Sequence, residues 1–552
     1  MNDSEPLPDY HAAYAGFNLP DLLSCLSGAP DTGYNACVEC CDRHAARNPD
    51  AIALDWEDQS GARAQYSFAN LRDDAARFAN LLTAQGIKPG DVVAGMLPRI
   101  PELLVCILGA WRAGAVYQPF FTAFGPSAIE HRLKTSQARL MVTDLANIAK
   151  LDGIAPRPRA ILIAPPEAAL APGDINLHME LARFAPDFTP VLRRGEEMFM
   201  LMSTSGTTGL PKGVPVPLNA MPAFYIYMRD AIGLRASDKF WNIADPGWAY
   251  GLYYAVIGPL LLGHATTLYN GPFTAQSTYR IIASHGITNL AGSPTAFRML
   301  IAAGAPPPGL KSRLRAVSSA GEPLNPEVIR WFAAELGAPI YDHYGQTELG
   351  MVVNNHHALD HEHHAGAAGF PMPGYRVAVL DDHDAELPAN APGTLAVDIA
   401  RSPLLWFRGY LNQPTSAIAN GYYRTGDMVE MSPTGYVSFV GRNDDVITSS
   451  GYRIGPFDVE SALLEHPAVI EAAVIGKPDP ERTEIVKAFV VLAPGFEATD
   501  GLAEALRLHV RHRLSAHAYP REIAFIEQLP KTPSGKIQRF VLRQGERKTA
   551  AF

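Results

Sequence analysis

The spacing of apolar positions changes several times along the first third of the chain, and each change marks an element. Phe68, Leu71, Ala75, Phe78, Ala79 and Leu82 recur at helical spacing, which predicts an amphipathic helix running through Leu82. Ser67 stands just before it as an N-cap, able to accept from an otherwise unpaired first-turn N–H. Lys88-Pro-Gly-Asp reads as a turn and Val92 to Leu97 as a buried strand. A helix over about Pro101 to Ala113 follows, then the β-like Ala115-Val116-Tyr117. Leu140-Met-Val-Thr and Ala160-Ile-Leu-Ile-Ala continue the alternation, so parallel α/β units are predicted. The apolar stretch Trp248 to Leu262 is broken by Gly251, Gly258 and Pro259, and reads as a buried helix and turn, not a membrane span.

From about residue 365 the texture changes. Tyr375-Arg-Val-Ala-Val-Leu, Gly393-Thr-Leu-Ala-Val-Asp and Tyr436-Val-Ser-Phe-Val sit between Gly, Pro and Asp turns, predicting an antiparallel or β-barrel-like section. After Gly441-Arg-Asn-Asp-Asp a second unit begins, with strand and helix character at Val459–Leu464 and Ala472–Gly476. The expectation is a large α/β domain over 1–442 and a small, mobile α+β domain over 443–552. The last dozen residues are polar and are expected to fray.

A chain of 552 residues is too long for one compact core, which agrees with two domains. Hydrophobic residues at 47% and charged residues at 18% describe a globular protein. The net charge of −10 argues against a nucleic-acid scaffold, which needs a basic face. Five cysteines are too few and too unevenly placed for a disulfide framework. Cys37, Cys40 and Cys41 have CxxC spacing, but read as buried reduced thiols at the start of a helix. The first residues show no basic segment followed by an apolar one, so no secretory signal is seen and a cytoplasmic protein is expected.

The strongest chemical signal is Ser203-Thr-Ser-Gly-Thr-Thr-Gly-Leu-Pro-Lys-Gly213. Small hydroxylated residues and glycines let a backbone approach a polyphosphate closely, and Lys212 adds a positive charge. Pro211 stands where a P-loop requires glycine, so this is a different kind of phosphate loop. A second conspicuous run, His356-His357-Ala-Leu-Asp-His361-Glu-His363-His364, has metal-binding residue types but reads as a solvent-facing polar stretch. His466 reads as structural.

Six segments in order carry a resemblance. They are Thr204–Lys212, Gly321-Glu-Pro-Leu-Asn-Pro-Glu327, Tyr344-Gly-Gln-Thr-Glu348, Tyr423-Arg-Thr-Gly-Asp427, Gly441-Arg-Asn-Asp-Asp-Val446 and Pro530-Lys-Thr-Pro-Ser-Gly-Lys536. With them the whole chain resembles the adenylate-forming superfamily of acyl-CoA synthetases, peptide-synthetase adenylation domains and luciferases. Its nearest likeness is to the acetyl-CoA and medium-chain acyl-CoA synthetase branches.

The resemblance implies an enzyme that joins a small-molecule carboxylic acid to coenzyme A, using ATP and Mg2+. It implies phosphate contacts from Thr204, Ser205, Gly206, Thr207, Thr208, Gly209 and Lys212. Gly321, Glu322 and Pro323 would line the adenine, opposite Asp342, His343 and Tyr344, with Gly345 and Gln346 continuing the nucleotide-facing segment. Thr347 would bind the α-phosphate, Glu348 the metal, and Asp427 and Arg442 the ribose. Lys536 would stabilise charge during adenylation, a role that needs no separate base because the attacking carboxylate is already ionised.

Asp444 matches a hinge about which the small domain turns between half-reactions. Ser450, Gly451, Tyr452 and Arg453 would then shape the pantetheine tunnel, with Arg453 and Arg511 as candidates for coenzyme A phosphates. Trp248, Tyr250, Gly251, Tyr253, Ala320 and Gly345 would wall the acyl pocket. Acetate-specific relatives carry tryptophan at the position of Gly345, so an open pocket for a longer, branched or aromatic acid is expected. Loading of a carrier protein is the alternative to CoA. A non-catalytic nucleotide-binding module is disfavoured because Glu348, Asp427 and Lys536 are all present.

Overall fold

A computed structural model describes residues 6–549 except 30, 205–210, 450–451, 516 and 533–535. The predicted helix runs over Phe68–Ala84 and begins with a reciprocal cap. Ser67 Oγ accepts from the Asn70 N–H at 3.2 Å, and Asn70 Oδ1 accepts from the Ser67 N–H at 3.0 Å. Its apolar face packs on the helix Pro101–Arg112, and Gly109 is the contact point: a Cβ there would meet Phe78 at 2.7 Å.

The strands Val92–Met96, Val116–Pro119, Leu140–Asp144 and Arg159–Ile163 are parallel neighbours in one seven-stranded sheet, as the alternating pattern predicts. Its far edge is the antiparallel pair Met198–Ser203 and Gly213–Pro217, the strands that flank the glycine- and hydroxyl-rich segment. A second sheet of 14 strands carries a parallel core, Asn289–Gly292, Ala316–Ala320 and Ile340–Gln346 among its members. The section expected to be barrel-like is the antiparallel arm of this same sheet. Its order runs from Gly350–Asn354 through Ala367–Pro371, Val437–Arg442 and Tyr422–Met431 to Gly393–Asp398 and Val377–Leu380. The pairings of the described strands form an open path.

Strand Val437–Arg442 belongs to the large sheet, whereas Ile447–Ser449 belongs to a third sheet of five strands. Two long strands, Val469–Asp479 and Thr483–Leu492, form its centre, and Pro456–Leu464 and Asp500–Arg513 pack on it around Val459, Leu463, Val474 and Leu506. Of the last dozen residues, expected to fray, 541–549 are helical, as part of Arg539–Thr549, which packs on Val469–Asp479, and 550–552 lie outside the described residues.

Cys37, Cys40 and Cys41 are buried free thiols at a π-helical turn, Val38–Asp42, and burial raises the pKa of each. The histidine run corrects its expectation. His356 and His357 are buried, at 1% and 8% exposure, and burial keeps both imidazoles neutral. His357 stacks on Tyr341 with ring centroids 4.1 Å apart, and His356 donates its N–H to His361 Nε2 at 2.8 Å. The apolar stretch from residue 248 is a buried helix in which α-turns flank a π-segment, Leu252–Ile257. Among the described residues no helix is long and apolar enough to cross a membrane.

Candidate active site

A cleft of about 920 Å3 lies where the ends of the large-sheet strands meet the third sheet. One end is the base of the phosphate-loop hairpin, whose two sides are tied reciprocally. Thr204 N–H donates to the Lys212 carbonyl and Lys212 N–H to Thr204 Oγ1, both at 3.0 Å. Ser205, Gly206, Thr207, Thr208 and Gly209 lie outside the described residues. The Lys212 ammonium sits 4.5 Å from the centre of the Tyr410 ring, and the Tyr410 hydroxyl donates to Glu348 at 2.8 Å. Glu348 is buried, which raises its pKa, while the Tyr410 hydrogen bond, Lys212 and Lys536 oppose the rise.

Strand Ile340–Gln346 supplies the next wall. Asp342 accepts from the Leu324 N–H at 3.1 Å, tying the turn that begins at Gly321 to this strand. Burial pushes the Asp342 carboxyl up to about 8, so at neutral pH it is mainly protonated. The His343 imidazole is taken up inside the protein: Tyr227 Oη lies 2.7 Å from Nδ1 and the Asn355 carbonyl 2.9 Å from Nε2. The carbonyl fixes the proton on Nε2 and leaves Nδ1 to accept from the tyrosine.

At Gly345 the ladder is irregular, and a Cβ would lie 2.1 Å from the Gly350 carbonyl oxygen. This corrects the reason for its glycine. The space beside Gly345 is filled by backbone of the neighbouring strand, not open, and any side chain there would have to move that strand. The Thr347 carbonyl accepts from Tyr253 Oη at 3.0 Å.

Asp427 and Arg442 face each other directly in the ladder between Tyr422–Met431 and Val437–Arg442. Asp427 accepts from Tyr344 Oη and, at 2.9 Å, from Gln346 Nε2. Gln346 Oε1 in turn accepts from Tyr423 Oη at 2.9 Å, which fixes the orientation of the amide. Burial raises the Asp427 pKa, with Arg442 the chief opposing influence. Arg442 Nε also donates to the exposed Asp444 at 3.0 Å, so the hinge candidate is tied to the cleft by one charge pair.

The third sheet brings Lys536 to the opposite wall. Thr532 and Lys536 bond reciprocally, Thr532 N–H to the Lys536 carbonyl at 2.8 Å and Lys536 N–H to Thr532 Oγ1 at 3.1 Å. Burial lowers the pKa of its ammonium, and Glu322, Asp427 and Glu348 pull the other way. Arg539 follows shortly after and grips the buried Glu460 with both oxygens at 2.8 Å. Glu460 also accepts from the Val474 N–H at 2.8 Å, and Arg543 pairs with the buried Asp445. The segment carrying Lys536 is thus clamped to the helix and strand beneath it.

Glu322 accepts from Thr295 Oγ1 at 2.8 Å and from Arg298 at 2.9 Å, and Asn325 reaches Ser461 Oγ across the cleft at 2.9 Å. Tyr410, Arg298, Asn325, Glu460 and Arg539 are the participants that sequence reasoning missed. Tyr410 lies 62 residues from Glu348, and no local pattern joins the two.

Other candidates lie away from the cleft. Tyr452 and Arg453 are exposed on the third sheet, Arg453 only 4.0 Å from Asp382, and Ser450 and Gly451 lie outside the described residues. Arg511 is exposed, its guanidinium 5.6 Å from the Tyr519 ring centre, beside Arg507 and Arg521 over the same ring. Trp248 packs on Phe121 and Phe124, Tyr253 stacks on Phe224, and Ala320 is fully covered. Gly251 is required by its surroundings, since a Cβ would lie 2.0 Å from the Asp245 carbonyl oxygen. Tyr250 adjoins Tyr254, and of the acyl-pocket set only Gly345 lines the cleft.

Among the described residues no group of three or more His, Cys, Asp or Glu side chains is placed to hold a metal. The donor set still suits Mg2+, which is held by one or two carboxylates together with substrate phosphates. Glu348, beside the phosphate-loop base, is the carboxylate that would hold it.

The chain matches the AMP-binding enzyme family over residues 41–411 and the AMP-binding enzyme C-terminal domain over 458–536. It is 38% identical to an acetyl-coenzyme A synthetase of Bacillus subtilis, over 98% of this chain and 95% of that protein. It is 36% identical to the mitochondrial acyl-coenzyme A synthetase ACSM3 of Mus musculus, over 89% of this chain and 86% of the relative. A crystal structure of a Brucella canis acyl-CoA synthetase superposes with a TM-score of 0.80 at 61% identity, covering 99% of this chain and all of that one. With this cleft and these relatives, the chain belongs to the AMP-binding enzyme family and is an AMP-forming acyl-CoA ligase that uses ATP, Mg2+ and coenzyme A.

Proposed function

We propose that the two walls of the cleft divide the adenylation step between binding and catalysis. The turn at Gly321–Pro323 and the strand residues Asp342–Tyr344 hold the adenine, Asp427 and Arg442 the ribose hydroxyls, and Thr204, Thr347 and Lys212 the phosphates. The acid's carboxylate oxygen attacks the α-phosphorus, the bond to the β-phosphate oxygen breaks, and pyrophosphate leaves. Lys536 stabilises the charge that builds on the phosphate oxygens. The observation that supports this reading is the convergence of Thr204, Lys212, Glu348, Asp427 and Lys536 on one cleft from elements of three separately built sheets.

The functional boundary in this reading falls at residues 442–443. The small domain, 443–552, turns about Asp444 and withdraws Lys536. The hairpin that includes Tyr452 and Arg453 comes in, and the coenzyme A sulfur displaces AMP from the acyl carbon, with Arg453 and Arg511 serving the coenzyme's phosphates. Exposure of Asp444, Arg453 and Arg511 in the present arrangement agrees with a second one in which they are used. The partners are small molecules rather than nucleic acid, and the compartment is the cytoplasm.

The acid is larger than acetate. The support is the residue itself: glycine at 345 carries no side chain to shorten the acyl site, where acetate-specific relatives carry tryptophan. Each methylene buried beyond acetate adds about 0.8 kcal/mol. Acid-dependent ATP–pyrophosphate exchange across a chain-length and aromatic panel, repeated with coenzyme A and thioester detection, tests this. Acetate giving the highest kcat/KM would overturn the size assignment.

A further inference from the structure

Among the described residues of the small domain, Tyr452 and His517 are the one pair of rings that lie face to face, with centroids 3.9 Å apart and planes at 17°. Both side chains stand at the surface, away from the cleft; Tyr452 is 48% exposed. Their supports differ. Tyr452 opens the strand Tyr452–Ile454, which pairs with Ile447–Ser449 as a short hairpin. Among the described residues it joins the rest of its sheet through one register pair, Ser449 with Thr483, and a bond from the Thr448 N–H to Glu484 at 2.8 Å. Ile447 and Ile454 anchor its inner end in the core of the small domain, and Tyr452 stands at its outer, exposed end.

His517 is on a loop held at both ends. Ser515 Oγ accepts from the His517 and Ala518 N–H groups at 3.3 and 3.2 Å. Two residues on, Tyr519 packs against the core of the small domain under Arg507, Arg511 and Arg521. A ring on an anchored loop therefore lies flat against one at the outer end of the edge strand. Stacked rings favour such an arrangement beyond area burial. In the arrangement described here this stack touches neither Lys536 nor any residue lining the cleft, so adenylation gives it no work.

We propose that His517 is a positioning residue for the thioester-forming half-reaction: its ring holds Tyr452, and through it the strand Tyr452–Ile454, in the orientation that coenzyme A meets. The proposal deepens the reading above and rests on that hairpin facing the acyl-adenylate in the second half-reaction. Orientation of the hairpin before the domain turns removes an ordering cost from the productive encounter.

The test separates the half-reactions in the full-length enzyme. His517→Ala should slow single-turnover thioester formation from a supplied acyl-adenylate and coenzyme A by about tenfold, while ATP–pyrophosphate exchange stays within about twofold of the parent. His517→Phe, which keeps a flat ring, should restore most of the loss. Arg453→Glu serves as the reference for the hairpin itself, and should raise the KM for coenzyme A. If Arg453→Glu impairs the thioester step and His517→Ala does not, the stack has no positioning role and the proposal is overturned. An equal loss in both half-reactions, or a Phe variant as slow as the Ala variant, overturns it as well. If neither Arg453→Glu nor His517→Ala touches the thioester step, the reading of the hairpin has failed and the proposal with it.

Discussion

The two walls of the cleft are built on opposite plans. On the large-sheet side the polar groups hold one another: Tyr423 orients Gln346, Gln346 and Tyr344 fix Asp427, and Tyr410 fixes Glu348. Tyr344 and Gln346 stand on one strand of the large sheet and Tyr423 and Asp427 on another, with three strands between them in its order, so the spacing of these four is set by the sheet before any ligand arrives. On the third-sheet side a single ammonium projects from a short segment, clamped from below by Arg539 on Glu460. Its partners in the cleft, Glu322, Asp427 and Glu348, act on it through charge. Preorganised groups suit recognition of a nucleotide, whereas a charge on a separate body can be supplied for one step and removed for the next.

The sharpest way to break that contrast is Lys536→Ala. Removing one preorganised electrostatic donor costs about 10²–10³-fold in kcat, and that loss is expected in ATP–pyrophosphate exchange. Thioester formation from supplied acyl-adenylate should stay within a few-fold of the parent. Comparable loss in both half-reactions would show that the two walls act together in each step.

Asp427→Asn probes the other wall and should be milder. A hydrogen bond to a charged group is worth about 1.5–3 kcal/mol, which corresponds to a rise of roughly 10–150-fold in the KM for ATP. The kcat at saturating ATP should change far less. If kcat falls and the KM stays put, Asp427 belongs to catalysis rather than binding.

The smallest effect is in pH dependence. Because the Lys536 pKa is lowered, the lysine loses its proton at a lower pH than an ordinary lysine does. Its charge is present on the acid side of that pKa and is lost as pH rises through it. The alkaline limb of kcat/KM for pyrophosphate exchange should therefore fall below the usual lysine range. Lys536→Arg, which keeps its charge, should show residual activity without that limb. An unchanged limb in the arginine variant would assign the titration to another group.

Much of the scaffold was legible because local rules and the tertiary fold agree there. The Ser67 cap and the repeat from Phe68 to Leu82 specify a helix on their own, and the run Val92–Met96 specifies a buried parallel strand. The order of the six motifs was enough to name the family and, among the residues lining the cleft, Thr204, Lys212, Glu348, Asp427, Arg442 and Lys536. The antiparallel arm was legible as strands but not as part of the large sheet, since strand order depends on long-range pairing that no local pattern encodes. The histidine run misled for a related reason. A polar sequence reads as exposed, yet Tyr341, Val317 and the N-terminal Tyr10 enclose His356 and His357.

The sequence by itself determined the elements, the glycine- and hydroxyl-rich composition of Ser203–Gly213 and the presence of Glu348, Asp427 and Lys536, because these depend on residue type and short spacing. Only the tertiary structure decided that Asp427 faces Arg442, that Tyr410 reaches Glu348, that Arg539 clamps the segment of Lys536, and that Gly345 is glycine because backbone closes on it. Each of these joins positions far apart in the chain or separate strands of a sheet, and such contacts exist only once the strands have taken their order.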